Sequence, residues 1–196
     1  MSVLKDLKTP VFYTEGMQDI DPGAWRLAVD GLVEQERAFT LDELRSMPRS
    51  TADARLTSVS GWSVRATWGG VLFAQFLEHL SRKPRADHII FTSAGFYETC
   101  VALSYIKDHA RVLICYEVNG EPLEPEYGGP VRVFIPHLWG YKSCKGLARI
   151  TFTDHMHGGY WEDRGYPRTA PIQPGVTFDI NTRERRPISG GEVDEF

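Results

Sequence analysis

Along most of this chain the apolar residues fall in short runs or alternate with polar ones, the pattern of half-buried strands, and few stretches take helical spacing. Trp25, Leu27 and Val29 alternate with polar or small neighbours and predict a strand over 25–29 that ends at Asp30-Gly31. Two apolar runs, Val112–Cys115 and Val131–Ile135, predict strands separated by the turn signals Asn119-Gly120, Pro122, Pro125 and Gly128-Gly129-Pro130. His88–Ser93 and Leu147–Thr153 read as two more. Thr40-Leu-Asp-Glu43 is a capping box that opens a short helix through about Met47, stopped by Pro48. Val71, Leu72, Gln75, Phe76, His79 and Leu80 have helical spacing, and Ser104 is placed to cap a helical turn before Asp108. Residues 1–24 carry Pro10, Gly16, Pro22 and Gly23 and read as extended or irregular. The tail from Pro171 is rich in Pro, Gly and charge and is expected to be loosely ordered. The sum is an α+β fold, β-rich with mixed sheets and a few short helices, with one domain over 1–170 and an extension over 171–196.

Composition narrows the function classes. The 196 residues are 42% hydrophobic and 12% aromatic, enough for a sizeable core. A net charge of −4 argues against nucleic acid or an anionic membrane as the main partner, so any basic site must be local. The 3 cysteines, Cys100, Cys115 and Cys144, form no Cys-x-x-Cys pair, which points to a reducing compartment and a cytoplasmic protein. The N-terminus has no apolar signal segment, and no run of about eighteen apolar residues exists to span a membrane. Nucleophile-elbow, phosphate-loop and dinucleotide-fingerprint patterns are absent, because the glycine pairs lack the required neighbours. His155 and His157 have spacing that would put two imidazoles on one strand face, but no carboxylate or thiol pair accompanies them, so an exposed loop is expected.

The local basic site lies between residues 132 and 145. Arg132 alternates with Val131, Val133 and Ile135 and so projects from the opposite face of that strand. Ten residues on comes a loop dense in donors: Tyr141, Lys142, Ser143 and Lys145. An arginine fork, two ammonium groups and a hydroxyl suit a phosphate or another anion.

The whole stretch "YEVNGEPLEPEYGGPVRVFIPHLWGYKSCKGLARITF" resembles the molybdopterin-binding core of the sulfite oxidase family, in particular its short bacterial members and the subunits that reduce methionine sulfoxide. Trp25-Arg-Leu, Leu41-Asp-Glu-Leu44 and Gly159-Tyr-Trp-Glu-Asp-Arg-Gly-Tyr166 extend the resemblance over roughly residues 10–168. It implies the family's fold, a pterin cofactor held by Arg132, His137, Tyr141, Lys142, Ser143 and Lys145, and a possible redox partner protein. The sequence departs from the family in three places. Tyr127 stands where histidine is common, Cys144 where a larger apolar residue is common, and Ser58-Val-Ser-Gly-Trp62 keeps the frame that in the family carries the molybdenum-ligating cysteine. Three readings of Ser58 are open: an oxygen ligand facing the metal, a small polar strand residue, or a serine substituted for a native cysteine. The expected function is a molybdopterin-dependent oxidoreductase that transfers an oxygen atom on a small S- or N-oxide substrate. The alternative is a pterin-binding sensor or carrier that has lost the metal ligand.

Overall fold

Residues 3–194 of the computed structural model form twelve strands in two mixed sheets, with four short helices at their edges. In chain order these are α1 (Val3–Asp6), β1 (Arg26–Gly31), β2 (Arg37–Thr40), α2 (Leu41–Ser46), β3 (Arg49–Ser58), β4 (Trp62–Leu72) and α3 (Phe73–Glu78). Then follow β5 (His88–Ser93), β6 (Glu98–Ala102), α4 (Leu103–Ile106), β7 (Leu113–Val118), β8 (Glu121–Pro122), β9 (Arg132–Phe134), β10 (Leu147–Thr153), β11 (Gly175–Asp179) and β12 (Glu184–Ile188). One sheet has the order β2-β1-β10-β5-β6, in which β1 and β10 are parallel. The other runs β12-β11-β4-β7-β8, with β3 paired to β4 and β9 to β7.

The alternation in β7 and β9 explains how one sheet serves two cores. Ile114, Tyr116, Val131 and Val133 face the large core shared with the five-stranded sheet, while Leu113, Cys115 and Phe134 face a second core with Trp68 and Leu56. In that second core Trp68 stacks on Phe134 at 4.5 Å, an arrangement that adds about 1 kcal/mol beyond burial. The capping box forms as the sequence demands: Thr40 Oγ1 accepts from the Glu43 amide, and Glu43 accepts from the Thr40 amide.

Four expectations change, the first being residues 1–24, expected to be extended or irregular, where α1 forms a helical turn. The helix expected from Val71 begins at Phe73, because Val71 and Leu72 end β4 and pair with Ile114 and Leu113; an apolar pair fits either period. Ser104 lies inside α4 rather than capping it, and Ala102 holds the N-cap position. The tail is not loose: β11 and β12 form a hairpin, and β11 adds to the sheet in parallel with Trp62 and Ser63 of β4. What anchors it is a long-range pair that no local pattern announces. Arg55 on β3 donates to both carboxylate oxygens of buried Asp179, at 2.9 and 3.3 Å. Burial pushes the Asp179 pKa up, but Arg55, the Asn181 amide and the Thr182 hydroxyl outweigh it and hold the carboxyl below its ordinary range.

Candidate functional site

Ser58 ends β3, and the turn that follows closes at Gly61 with φ +84°, a conformation that suits glycine. The Ser58 carbonyl accepts from the Gly61 amide at 3.0 Å, and its Oγ accepts from the Ser60 amide at 3.2 Å. Below the turn, buried Thr57 and Ser63 share a hydroxyl hydrogen bond at 3.1 Å. The loop 139–146 packs against this hairpin. A Cβ at Gly140 would stand 3.3 Å from the Thr57 carbonyl, so glycine is what lets the loop come close.

Between hairpin and loop lies a cleft of about 920 Å³, including the part open to solvent. Trp62, Tyr97, Tyr141, Trp161 and Tyr166 give it an aromatic wall. Arg132 lies at its buried side, on the face opposite Val131 and Val133 as its alternation requires. Its guanidinium donates to the carbonyls of Tyr127 at 2.8 Å and Ser143 at 3.0 Å, and lies 5.6 Å from the Trp68 ring. Lys145 donates from Nζ to the carbonyls of Phe12 at 3.0 Å and Glu126 at 3.3 Å, with the Tyr13 ring 4.3 Å away. Residues 10–15 thereby run along the cleft as a strap. Tyr13 donates from its hydroxyl to the Pro125 carbonyl at 2.5 Å, and Glu15 accepts from the amides of Phe96 and Tyr97 at 2.5 and 2.6 Å.

The fold thus brings Ser58, Arg132, Tyr141, Ser143 and Lys145 to one cleft. Two residues grouped with them by sequence are elsewhere. His137 does not line the cleft; it stacks on His109 at 4.2 Å, and burial with the nearby His109 pulls its pKa down to about 4. Lys142 is wholly buried behind the cleft, ion-paired with Glu162 and donating to the Cys100 carbonyl at 2.7 Å. Glu162 also accepts from Thr99 Oγ1 at 2.5 Å. The sequence reading missed the strap, and it took the motif containing Glu162 for aromatic packing alone; a carboxylate amid that apolar motif was the available signal. Tyr127, at the family's histidine position, lies outside the cleft and donates its hydroxyl to the Thr9 carbonyl at 3.3 Å. His155 and His157 pair with Asp154 and Glu98, and no group of three or more metal-ligating side chains occurs among the described residues.

Electrostatically the cleft is cationic and unbalanced. Among the described residues neither Arg132 nor Lys145 has a carboxylate within ion-pair distance, although burial lowers the pKa of both. Arginine stays charged regardless, so an incoming anion would find a fixed positive centre with a vacant counter-charge. That donor set fits an anionic, planar cofactor against an aromatic wall. It offers no sulfur: none of the three cysteines lines the cleft, and burial pushes each thiol pKa up, that of Cys115 to about 11. Ser58 lines the cleft and brings a hydroxyl to it.

Residues 14–161 match the model of the oxidoreductase molybdopterin binding domain. The chain belongs to that family. Molybdopterin is therefore its cofactor class, and the mixed-sheet fold is the family's. The chain is 33% identical over 150 residues to a protein of Azospira oryzae named as a protein-methionine-sulfoxide reductase subunit, covering 76% of this chain and 57% of that one. It is 34% identical over 147 residues to an uncharacterized oxidoreductase of Bacillus subtilis, covering 74% of each. With the sulfite oxidase of Arabidopsis thaliana it shares 29% identity over 200 residues, 84% of this chain and 50% of the relative. The chain thus spans 57% and 50% of the length of two of these three relatives. Among solved structures, the sulfane dehydrogenase SoxCD from Paracoccus pantotrophus superposes with a TM-score of 0.69 at 19% identity, over 90% of this chain and 47% of that one.

Proposed function

We propose that this chain is a molybdopterin-dependent oxidoreductase that moves an oxygen atom to or from a small S- or N-oxide substrate, passing two electrons to a separate protein in the first case and taking them from it in the second. The observation that carries the reading is the pairing of two cations without carboxylate partners among the described residues, Arg132 and Lys145, with a cleft whose other wall presents the Ser58 hydroxyl. In this proposal Arg132, Lys145 and Ser143 hold the cofactor's anionic end, and the aromatic wall packs its ring system and limits water. The cofactor supplies a metal that cycles by two electrons, while the protein provides binding, orientation and electrostatics. Ser58 stands where the metal's protein ligand belongs, with an oxygen in place of a soft thiolate. Sparse, buried, unbridged cysteines favour the cytoplasm as the compartment.

A second reading follows from one detail. Ser58 Oγ is already engaged by the Ser60 amide, which favours a local role in the turn and a pterin-binding carrier or sensor without redox chemistry. Molybdenum and pterin analysis of protein purified from a host that makes the cofactor separates the two. Near-equal molybdenum and pterin supports the oxidoreductase, pterin without metal supports the carrier, and absence of both rejects cofactor binding. Ser58→Cys is expected to raise the molybdenum retained per pterin; an unchanged ratio would remove Ser58 from the metal position.

A further inference from the structure

We propose that the buried Lys142–Glu162 pair is a positioning element of the cleft: it sets how the aromatic wall stands against the donor loop, and so which ligands can bridge the two. This rests on the cofactor-site reading above and adds to it the part that fixes its width. Neither partner lines the cleft, but their chain neighbours do. Tyr141 and Ser143 flank Lys142 and face the cleft, as does Trp161 immediately before Glu162. Lys142 and Glu162 turn inward from those neighbours, and neither has any exposed side-chain surface.

The wall hangs from a pivot. The Tyr160 amide donates to the Glu98 carbonyl of β6 at 2.9 Å, and a Cβ at Gly159 would stand 2.7 Å from that carbonyl, so glycine lets the segment reach β6. Beyond the pivot, the amides of Arg164 and Tyr166 donate to the Trp161 carbonyl at 3.0 and 3.1 Å, which makes Trp161, Glu162 and Tyr166 one turn. A single backbone bond to β6 does not fix the angle of that turn; Glu162 does. It accepts from Thr99 Oγ1 on β6 at 2.5 Å and from Lys142 Nζ, which also donates to the Cys100 carbonyl at 2.7 Å. The donor loop is tied separately: Ser143 Oγ accepts from the Ile135 amide, and the Ser143 carbonyl from Arg132, both at 3.0 Å. At the solvent edge the Tyr141 hydroxyl donates to the Pro167 carbonyl at 2.6 Å, a bond open to competition from water. Stability alone does not explain the buried charges. Apolar side chains of similar volume fill such a space as well or better, and Glu162 Oε2 is buried with no hydrogen-bond partner among the described residues. What an ion pair adds is direction, because its N–H···O geometry tolerates little displacement where apolar surfaces slide.

The test uses the full chain and two probes of different reach. Molybdopterin, measured by fluorescence after release from protein purified from a host that makes it, is the ligand expected to span wall and loop. Inorganic sulfate, titrated calorimetrically into chain made without the cofactor, needs only Arg132, Ser143 and Lys145. Lys142→Met with Glu162→Leu removes the charges and keeps the interior filled. It is expected to retain roughly a tenth of the wild-type pterin per chain and to bind sulfate within about twofold of wild type. Wild-type pterin content in the double variant would overturn the positioning role. A parallel loss of sulfate affinity would overturn it too, since the pair would then hold the whole loop rather than the wall. If the double variant does not fold, Thr99→Val decides: it keeps both charges and removes the hydroxyl that orients the carboxylate. It should retain roughly a third of the pterin with unchanged sulfate affinity, and full retention would overturn the proposal. Wild type that binds sulfate but holds no pterin would reject the cofactor-site reading itself, and the role assigned to the pair with it.

Discussion

Lys142 and Lys145 sit three residues apart on one loop, and the sequence presents them as equivalents. Lys142 is fully enclosed and faces a carboxylate, Glu162, that it meets only because the segment before Tyr166 folds back behind the loop. Lys145 faces two carbonyls, an arginine and the cleft. The first ammonium is a structural rivet, and the second has no carboxylate within ion-pair distance among the described residues. Lys145 keeps some exposure where Lys142 has none, and beyond that the presence or absence of an opposite charge separates them.

That contrast can be broken at several points. The largest effect is expected from Glu162→Ala, which strands the Lys142 charge in the interior with the Cys100 carbonyl and the Tyr141 ring but no carboxylate. Urea unfolding should show a loss of about 3–5 kcal/mol, and Lys142→Met with Glu162→Leu should recover most of it. A loss below about 1 kcal/mol would mean that the pair is not the rivet described. Lys145→Met is expected to act with the opposite sign, raising stability at pH 7 by about 1–3 kcal/mol, since it removes a desolvated charge that no carboxylate offsets. Destabilisation comparable to that of Glu162→Ala would erase the distinction between the two lysines.

The smallest effect sharpens the comparison through pH. The unfolded chain keeps its lysine protons up to about pH 10.4, whereas folded Lys145 gives up its own near 7. Between those values the unfolded state binds more protons, so wild-type stability rises with pH relative to Lys145→Met. The advantage of Lys145→Met should therefore shrink from pH 7 to 10 and stay constant below pH 7. Stability curves that run parallel throughout would place the Lys145 pKa at its ordinary value.

The sequence carried those parts of the molecule whose cause is local. Alternation placed Arg132 on its face of β9, spacing marked β5 and β10 over the residues they occupy, and Thr40 with Glu43 announced α2. What escaped it depends on partners far along the chain. Asp179 in a charged, Pro-rich tail looks like solvated loop until Arg55 is placed beside it, and Lys142 looks like a free cation until Glu162 closes over it. His137 follows β9 directly and so looked adjacent to the donor loop, yet its ring turns to His109. The strap had no periodicity to reveal it, because its hold on the cleft runs through the Phe12 carbonyl and the Tyr13 and Glu15 side chains.

The parallel pairing of β11 with β4 has a consequence for how the protein is made. The turn that carries Ser58 receives a backbone hydrogen bond from Phe178 to the Gly61 carbonyl, at 2.9 Å. Phe178 lies far beyond Ser58 in the sequence, so the turn that carries Ser58 gains this backbone partner only once β11 has been made and docked. The wall bearing Ser58 is thus fastened late, with β11 acting as its clasp.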